Sequence, residues 1–583
     1  MTRLPVLTAL LLVCAILGAI AQEKPAPPSK PQPDVRATEV APPDTMPRTS
    51  AQDSVARPIQ GLPKFDLPEY VITGAASMDL PDAEKQPGIE PPYSLELANP
   101  LDAPRDRSTT QILSGERRAF PINVRSANSG RIEASSGTFF TSRVGLWFNK
   151  LAPDYSILGN AQYGVSKAYI PFTNRSGGQI NVSGGLTLHG PSEWSERGWL
   201  GGELGYGSDT YRFYGYRSPD LTRTLSRIHA AAKFDSPREL VYNFGLGAGI
   251  DVTSVADSTA SVSETRFHLG AQSNLLVDAF PLDGSIDLTL ASISNSGTPT
   301  LPFLDVALTT PKHWYGGFFV QGALHLYVTQ GMLSQKFARL YPNVGIGYRV
   351  FDNTMASASY LGRVQFNTLS DLIAMQPYLS ATSTIRQSDL PLNVVVALET
   401  DWSQTWRSRF AARFQSVKDY PLLTEGTTVG GLGGSGHPGI WTTSYLATTS
   451  IASYDADLFA KFDANSYFTL SFEINNSRNS NTQRAVPYLP DLRLSGALSI
   501  EVLEGFQVSP SLSYVGKRVS DLYVDAGSQL KLYGLVGLHA EYAPMKALVV
   551  FADCQNLTDT RYEEWSGYRA APLVVTAGIG YRW

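Results

Sequence analysis

Leu492-Arg493-Leu494-Ser495-Gly496-Ala497-Leu498-Ser499-Ile500-Glu501-Val502 places Leu492, Leu494, Gly496, Leu498, Ile500 and Val502 on one face of an extended chain. Arg493, Ser495, Ala497, Ser499 and Glu501 fall on the other. A period of two is the period of a strand, whose successive side chains point to opposite faces. The same alternation runs through 467–475, where Phe468, Leu470, Phe472 and Ile474 oppose Thr469, Ser471, Glu473 and Asn475. It runs again through 529–542, where Leu530, Leu532, Val536, Leu538 and Tyr542 oppose Gln529, Lys531, His539 and Glu541.

Working outward, such segments fill the chain from about Arg131 to Trp583, and an even number near 22 fits them best. That is too many for a soluble sandwich. The connections also alternate. Short turns fall near 463–466, 503–505 and 543–546, and long ones near 478–490, 518–528 and 557–571. Short periplasmic turns opposite long external loops give this rhythm in outer-membrane barrels. The fold class is therefore all-β, a transmembrane antiparallel β-barrel of about 22 strands. The rhythm places the C-terminus in the periplasm and the Gly-rich stretch Gly430 to Gly439 in an external loop.

The N-terminal part reads differently. Arg3 precedes an apolar run from Leu4 to Ala21 that ends in the small-residue triplet Ala19-Ile20-Ala21. This predicts a secretory signal peptide over 1–21, cleaved before Gln22. A membrane-anchoring helix fits less well, because a Pro-rich hydrophilic stretch follows without a basic stop-transfer cluster. Lipidation at Cys14 is disfavoured by the bulky Val13 before it. Residues 22–130 form a Pro-rich extension without sustained periodicity, expected to be disordered and periplasmic. No later stretch of 18 or more apolar residues exists, so strands rather than helices would cross the membrane.

Composition agrees. Lys plus Arg number 47 and Asp plus Glu 52, a net charge of −5 that offers no footprint for nucleic acid. With Cys14 removed, Cys554 stands alone, and no disulfide framework is possible. None of the seven histidines pair at metal-ligand spacing, and His437 reads as a solvated loop residue. There is no Gly-x-Ser-x-Gly, and Gly430 to Gly436 lacks the Lys-Ser/Thr of a phosphate loop. No catalytic, metal or cofactor residue is assigned, and an enzyme is not expected. Asp455, Asp457 and Lys461, like Glu501, Glu541 and Asp553, suit a hydrated lumen.

In the last segment, Leu573, Val575, Ala577, Ile579, Tyr581 and Trp583 share one face. A closing strand ending on an aromatic residue resembles the signal read by the outer-membrane barrel-assembly machinery, with Ile579, Tyr581 and Trp583 carrying it. Just before it, Phe551-Ala552-Asp553-Cys554-Gln555-Asn556-Leu557-Thr558-Asp559-Thr560-Arg561-Tyr562, then Gly567-Tyr568, resembles the C-terminal hallmark of TonB-dependent receptor barrels. The likeness spans roughly 485–583 and marks the barrel rather than a ligand. Tyr562, Trp565 and Tyr568 form a candidate ligand loop, although the interfacial aromatic girdle suits some of them equally.

A second stretch, Leu67-Pro68-Glu69-Tyr70-Val71-Ile72-Thr73-Gly74, is similar to the segment with which such receptors pair with a TonB-like energy transducer. An extended apolar strand on a tether can add to a partner's sheet edge. The departure is that only 75–130 remain for a plug, and they look unfit to fold as one. Either the plug is lost, a separate plug or periplasmic partner supplies it, or loops and tail fill the lumen. The resemblance implies an outer-membrane receptor or transporter for a solute. A plugless barrel serving as anchor or assembly partner, or a passive porin, are the alternatives. Outer-membrane lipid is the expected surroundings.

Overall fold

The computed structural model describes residues 127–583, apart from 191–195, 216–218, 238–242, 258–259, 278–279, 295–299, 331–335, 426–440, 464 and 521–528. The expectations for the signal peptide, for Leu67 to Gly74, for the Gly-rich loop with His437 and for residues 22–126 of the 22–130 extension lie outside the described residues, whereas 127–130 belong to the first strand.

The described chain forms one closed antiparallel barrel of 22 strands. The first strand, Ala127–Gly137, begins ahead of Arg131, where the alternation becomes legible. It pairs on one side with Ser142–Leu151 and on the other with the last strand, Val574–Arg582. Gly130 and Trp583 exchange both backbone hydrogen bonds at 3.1 Å, so closure uses the last residue of the chain. Closure leaves no open edge, which a sheet surrounded by hydrocarbon cannot tolerate.

Alternation sorts the side chains as expected. On the final strand Ile579, Tyr581 and Trp583 lie on the exposed outer face, at 60%, 52% and 47%. Arg582, one position out of phase, turns inward to Glu541, which Arg131 also approaches at 3.4 Å. The outer surface is therefore apolar and aromatic, as hydrocarbon requires.

The turns at the end where the first strand begins and the last strand ends are short. At Glu504-Gly505, Gly505 takes φ +73°, and a Cβ there would stand 2.9 Å from the Ala543 carbonyl. The opposite, distal end carries the long connections. One departs from expectation: 529–542 is not one strand. Gln529–Leu530 instead pairs with Arg518–Val519 in a small distal ladder, and the barrel strand starts at Tyr533. The apolar phase runs on through Leu530 and Leu532, but Tyr533, in the opposite phase with His539 and Glu541, is buried and packs on Tyr562 with ring centroids 4.2 Å apart.

Candidate functional site: a strap across the distal mouth

The connection 361–387 joins the strands Thr354–Tyr360 and Ser388–Asp401 at the distal end. Its centre is the helix Leu369–Met375. Thr368 caps it, accepting from Asp371 N–H while the Asp371 carboxylate takes the Thr368 N–H, a reciprocal box satisfying two orphan donors. Pro377, after the cap at Gln376, stops it. Leu369, Leu372, Ile373, Leu379 and Ile385 are each 1% exposed or less. Full burial of such side chains is worth about 1.5–3 kcal/mol apiece.

What they bury against shows where the strap lies. Val255, Val262, Ala291 and Leu301 belong to the same cluster. On their strands these residues are in phase with Asp251, Glu264, Asp287 and Asp305, the polar, lumen-facing set. The strap is thus folded inward against the lumen face, which is apolar where the strap meets it.

Polar anchors fix it to one wall. The Glu264 carboxylate, 1% exposed, accepts the Leu369 N–H at 2.6 Å. The Pro377 carbonyl accepts from Tyr211 Oη at 2.6 Å and from the Arg223 guanidinium at 2.8 Å. Arg223 is fully buried, paired with Asp257 at 2.9 Å and set 4.6 Å over the Phe213 ring. Its two terminal nitrogens are satisfied by the Pro377 carbonyl and the Asp257 carboxylate, while Nε meets no acceptor among the described residues.

The other wall is held by backbone and rings. Leu379 forms a parallel bridge with Trp441, and Ser380 N–H donates to the Trp441 carbonyl at 2.7 Å. Thr443 and Tyr445 hydroxyls both donate to the Thr384 carbonyl, at 2.6 and 3.0 Å. Tyr378 stacks on Tyr568 at 3.6 Å between centroids. Burial raises the Tyr378 phenol, with Tyr211 and Tyr169 nearby adding to the effect, so Tyr378 stays neutral.

The aromatic residues of the 556–573 connection are placed differently from expectation. Trp565 and Tyr568 are 3% and 2% exposed, so neither offers a ring face to solvent or to the lipid interface. Trp565 packs against Tyr488 and Trp441 at 4.6 and 5.4 Å, which makes it part of the closure. Tyr562 is partly buried on Tyr533. The reason is mutual: the strap needs an apolar partner on the far wall, and this connection supplies it. Asn556, at φ +51°, ties the connection down by donating to the Thr560 and Ala571 carbonyls and accepting the Thr560 N–H.

The strap itself escaped sequence reasoning. Its one local signature was Thr368-x-x-Asp371 ahead of Leu372-Ile373, with Pro377 as a stop. Glu264, Arg223 and Trp441 carry no such mark.

With 22 strands, closure through the last strand and an infolded distal strap, the architecture can be set beside solved structures. The copper transporter OprC aligns at TM-score 0.59 and 13% identity, over 79% of this chain and 81% of that one. The barrel has the fold of the TonB-dependent receptors. The FrpB iron transporter from Neisseria meningitidis superposes on this receptor-type barrel at TM-score 0.60 and 11% identity, covering 79% and 82%. The ferric enterobactin receptor PfeA from Pseudomonas aeruginosa gives 0.60 and 10% over 79% and 82%. No protein-family model and no curated protein sequence matches the chain. The likeness to TonB-dependent receptors is thus one of fold.

Proposed function

We propose that this protein is a TonB-dependent receptor-like barrel of the bacterial outer membrane that binds a solute and passes it through a strap-controlled lumen. The observation that carries this is the strap 361–387, docked from wall to wall across the distal mouth. A permanently open porin has no use for an apolar core built across its own entrance. In this reading the distal mouth faces outward, both barrel termini face the periplasm, and Leu67 to Gly74 pair with a TonB-like transducer. Ile579, Tyr581 and Trp583 serve the assembly machinery.

A covered mouth also suits a barrel that only anchors or assembles partners, so the test must separate the two. Conductance of the purified mature protein is measured in a planar bilayer, beside a variant whose residues 366–385 are replaced by a short Gly-Ser linker. Low conductance for the first and large, stable conductance for the second supports the strap as the barrier. A large conductance in the unaltered protein overturns the gated reading. No conductance in either supports the anchor.

A further inference from the structure

The outer face of the barrel sorts its charges by sign and by height. Alternation puts Lys167 in phase with the exposed Tyr163, Arg212 with Leu204 and Tyr206, and Lys336 with Leu340 and Val344. It puts Lys418 in phase with Phe410 and Phe414, and Arg478 with Ile474. All five cations stand in the distal half of the wall. Lys167 follows the end of Tyr155–Ser166, Arg212 and Arg478 lie in the last two positions of their strands, and Lys336 opens its own. Lys418 is level with Asp389, near the distal start of Ser388–Asp401. Over that half no strand acid shares the outward phase, among the described residues. The acids turn into the lumen instead, as Glu203 and Asp251 do on either side of His229, at 2.5 and 2.6 Å. Toward the opposite end, Lys150 is the one outward-phase cation of the strands, among the described residues.

At two neighbouring places on this rim each cation sits on a ring. Lys167 Nζ lies 4.1 Å from the centre of the Phe140 ring, and the Arg212 guanidinium 5.6 Å from that of Phe172. The backbone is bent to put those rings there. Phe139, Phe140 and Phe172 take φ of 55°, 48° and 70°, a region that bulky side chains rarely adopt. The Lys167 N–H donates to the Phe139 carbonyl at 2.8 Å and holds the first turn in place. Phe140 is 68% exposed, and with Gly137, Phe139, Lys167 and Ala168 it lines an open cleft of about 440 Å³. A ring face attracts a cation without neutralising it. Among the described residues, only Arg212 of the five has an acid within salt-bridge reach, the exposed Asp220 at 3.8 Å.

We propose that the distal rim of the outer face is a docking surface for phosphate-bearing lipid headgroups of the outer leaflet, centred on Lys167–Phe140 and Arg212–Phe172. The position and the charge both point to that occupant. The cations continue the columns of apolar side chains that meet hydrocarbon, so what lies against them is the headgroup layer of the same leaflet. Ammonium and guanidinium groups bind phosphate oxygens through charge-assisted hydrogen bonds, and the rings beside them cover the upper acyl chains. A second copy of the chain is a poor occupant, because a two-fold contact would set this basic rim against itself.

The proposal rests on the outward placement of the distal mouth and uses nothing else of the gated-receptor reading. Its test measures lipid retention alone. It needs neither strap opening nor transport, so it can fail while the conductance result stands, and the reverse.

The full mature chain in a neutral detergent is titrated with diphosphorylated lipid A, and separately with phosphatidylcholine, and the adducts are read by native mass spectrometry. Lipid A should be retained in preference to phosphatidylcholine. The Lys167→Gln, Arg212→Gln variant should weaken lipid A retention by about tenfold, since each cation near an anionic headgroup is worth roughly a factor of five. Lys150→Gln, which removes the outward cation of the opposite end, should leave it unchanged. All three positions are on the surface, and heat-modifiable mobility on SDS gels confirms that each variant is folded. Equal retention by the double variant overturns the proposal, as does an equal loss in Lys150→Gln. Displacement of lipid A by inorganic phosphate alone would make this a free-phosphate site and overturns it too. So would a dimer of the chain appearing in place of lipid adducts.

Discussion

The Glu264 carboxylate accepts the backbone N–H of Leu369 at 2.6 Å, joining a barrel strand to the first turn of a helix 105 residues later in the chain. It is a buried acid whose partner is an orphan donor at a helix start, where negative charge is favoured. Replacing it with Ala leaves that N–H buried and unpaired, a cost of about 1–3 kcal/mol. We predict that Glu264→Ala raises bilayer conductance or open-event frequency, whereas Glu264→Gln, which keeps an acceptor, does so far less. Equal behaviour of the two variants would remove Glu264 from the latch.

The strap's own core should matter to the strap and not to the barrel. Leu372 is fully buried, and truncating a buried leucine costs about 2–5 kcal/mol. Leu372→Ala should speed amide exchange across 366–385 while leaving the heat-modifiable mobility of the barrel on SDS gels unchanged. Exchange that stays as slow as in the unaltered protein would mean the segment is held by other contacts.

Trp565 gives a sharper test of packing against polarity. Among the described residues its indole N–H meets no acceptor, although the ring is 3% exposed. Trp565→Phe should therefore retain most of the closure, and Trp565→Ala should lose about 3–5 kcal/mol of its packing. Exchange protection at 366–385 and at 562–569 reports both. If Phe is as damaging as Ala, the indole nitrogen has a role that the geometry does not reveal.

Asn556 holds its connection with both ends of its amide. Asn556→Ala removes those hydrogen bonds and an amino acid that tolerates left-handed φ. The expected loss is about 1–3 kcal/mol of local stability, read as proteolytic nicking between 556 and 573 in an otherwise intact barrel. Resistance equal to the unaltered protein would count against it.

The final strand makes the barrel's last closure through Trp583 and Gly130. Deleting Tyr581 to Trp583 should sharply reduce folded, membrane-inserted protein in cells, and Trp583→Phe should restore most of it. Normal insertion after the deletion would exclude an assembly role for this aromatic end.

Much of the architecture is written locally. The alternation in 467–475 and 492–502, the short turn at Glu504-Gly505 and the Asn556 turn each depend on neighbours a few residues apart. A period of two fixes which side chains share a face whatever lies across the sheet, and so the barrel class and a strand number near 22 follow from the chain itself. The apolar outer face follows as well, because the solvent on that side is hydrocarbon. Residues 529–542 mark the limit of this reasoning: periodicity continued through Leu530 and Leu532, and only hydrogen bonding assigned Gln529–Leu530 to Arg518–Val519.

The interior obeyed no such local rule. Leu369, Trp441 and Trp565 belong to one cluster although they are far apart in sequence, and no spacing in the chain relates them. Likewise Trp565 and Tyr568, indistinguishable by sequence from girdle or binding-loop aromatics, were committed to the closure by what stands opposite them. The Glu203–His229–Asp251 contact depended on the register of three strands, which a shift by one residue would turn to the lipid. Sequence alone determined that this chain makes a barrel and which of its faces meets lipid. Tertiary structure alone decided what spans the mouth and which charges meet in the lumen, because those are contacts between strands and loops whose proximity exists only once the sheet has closed.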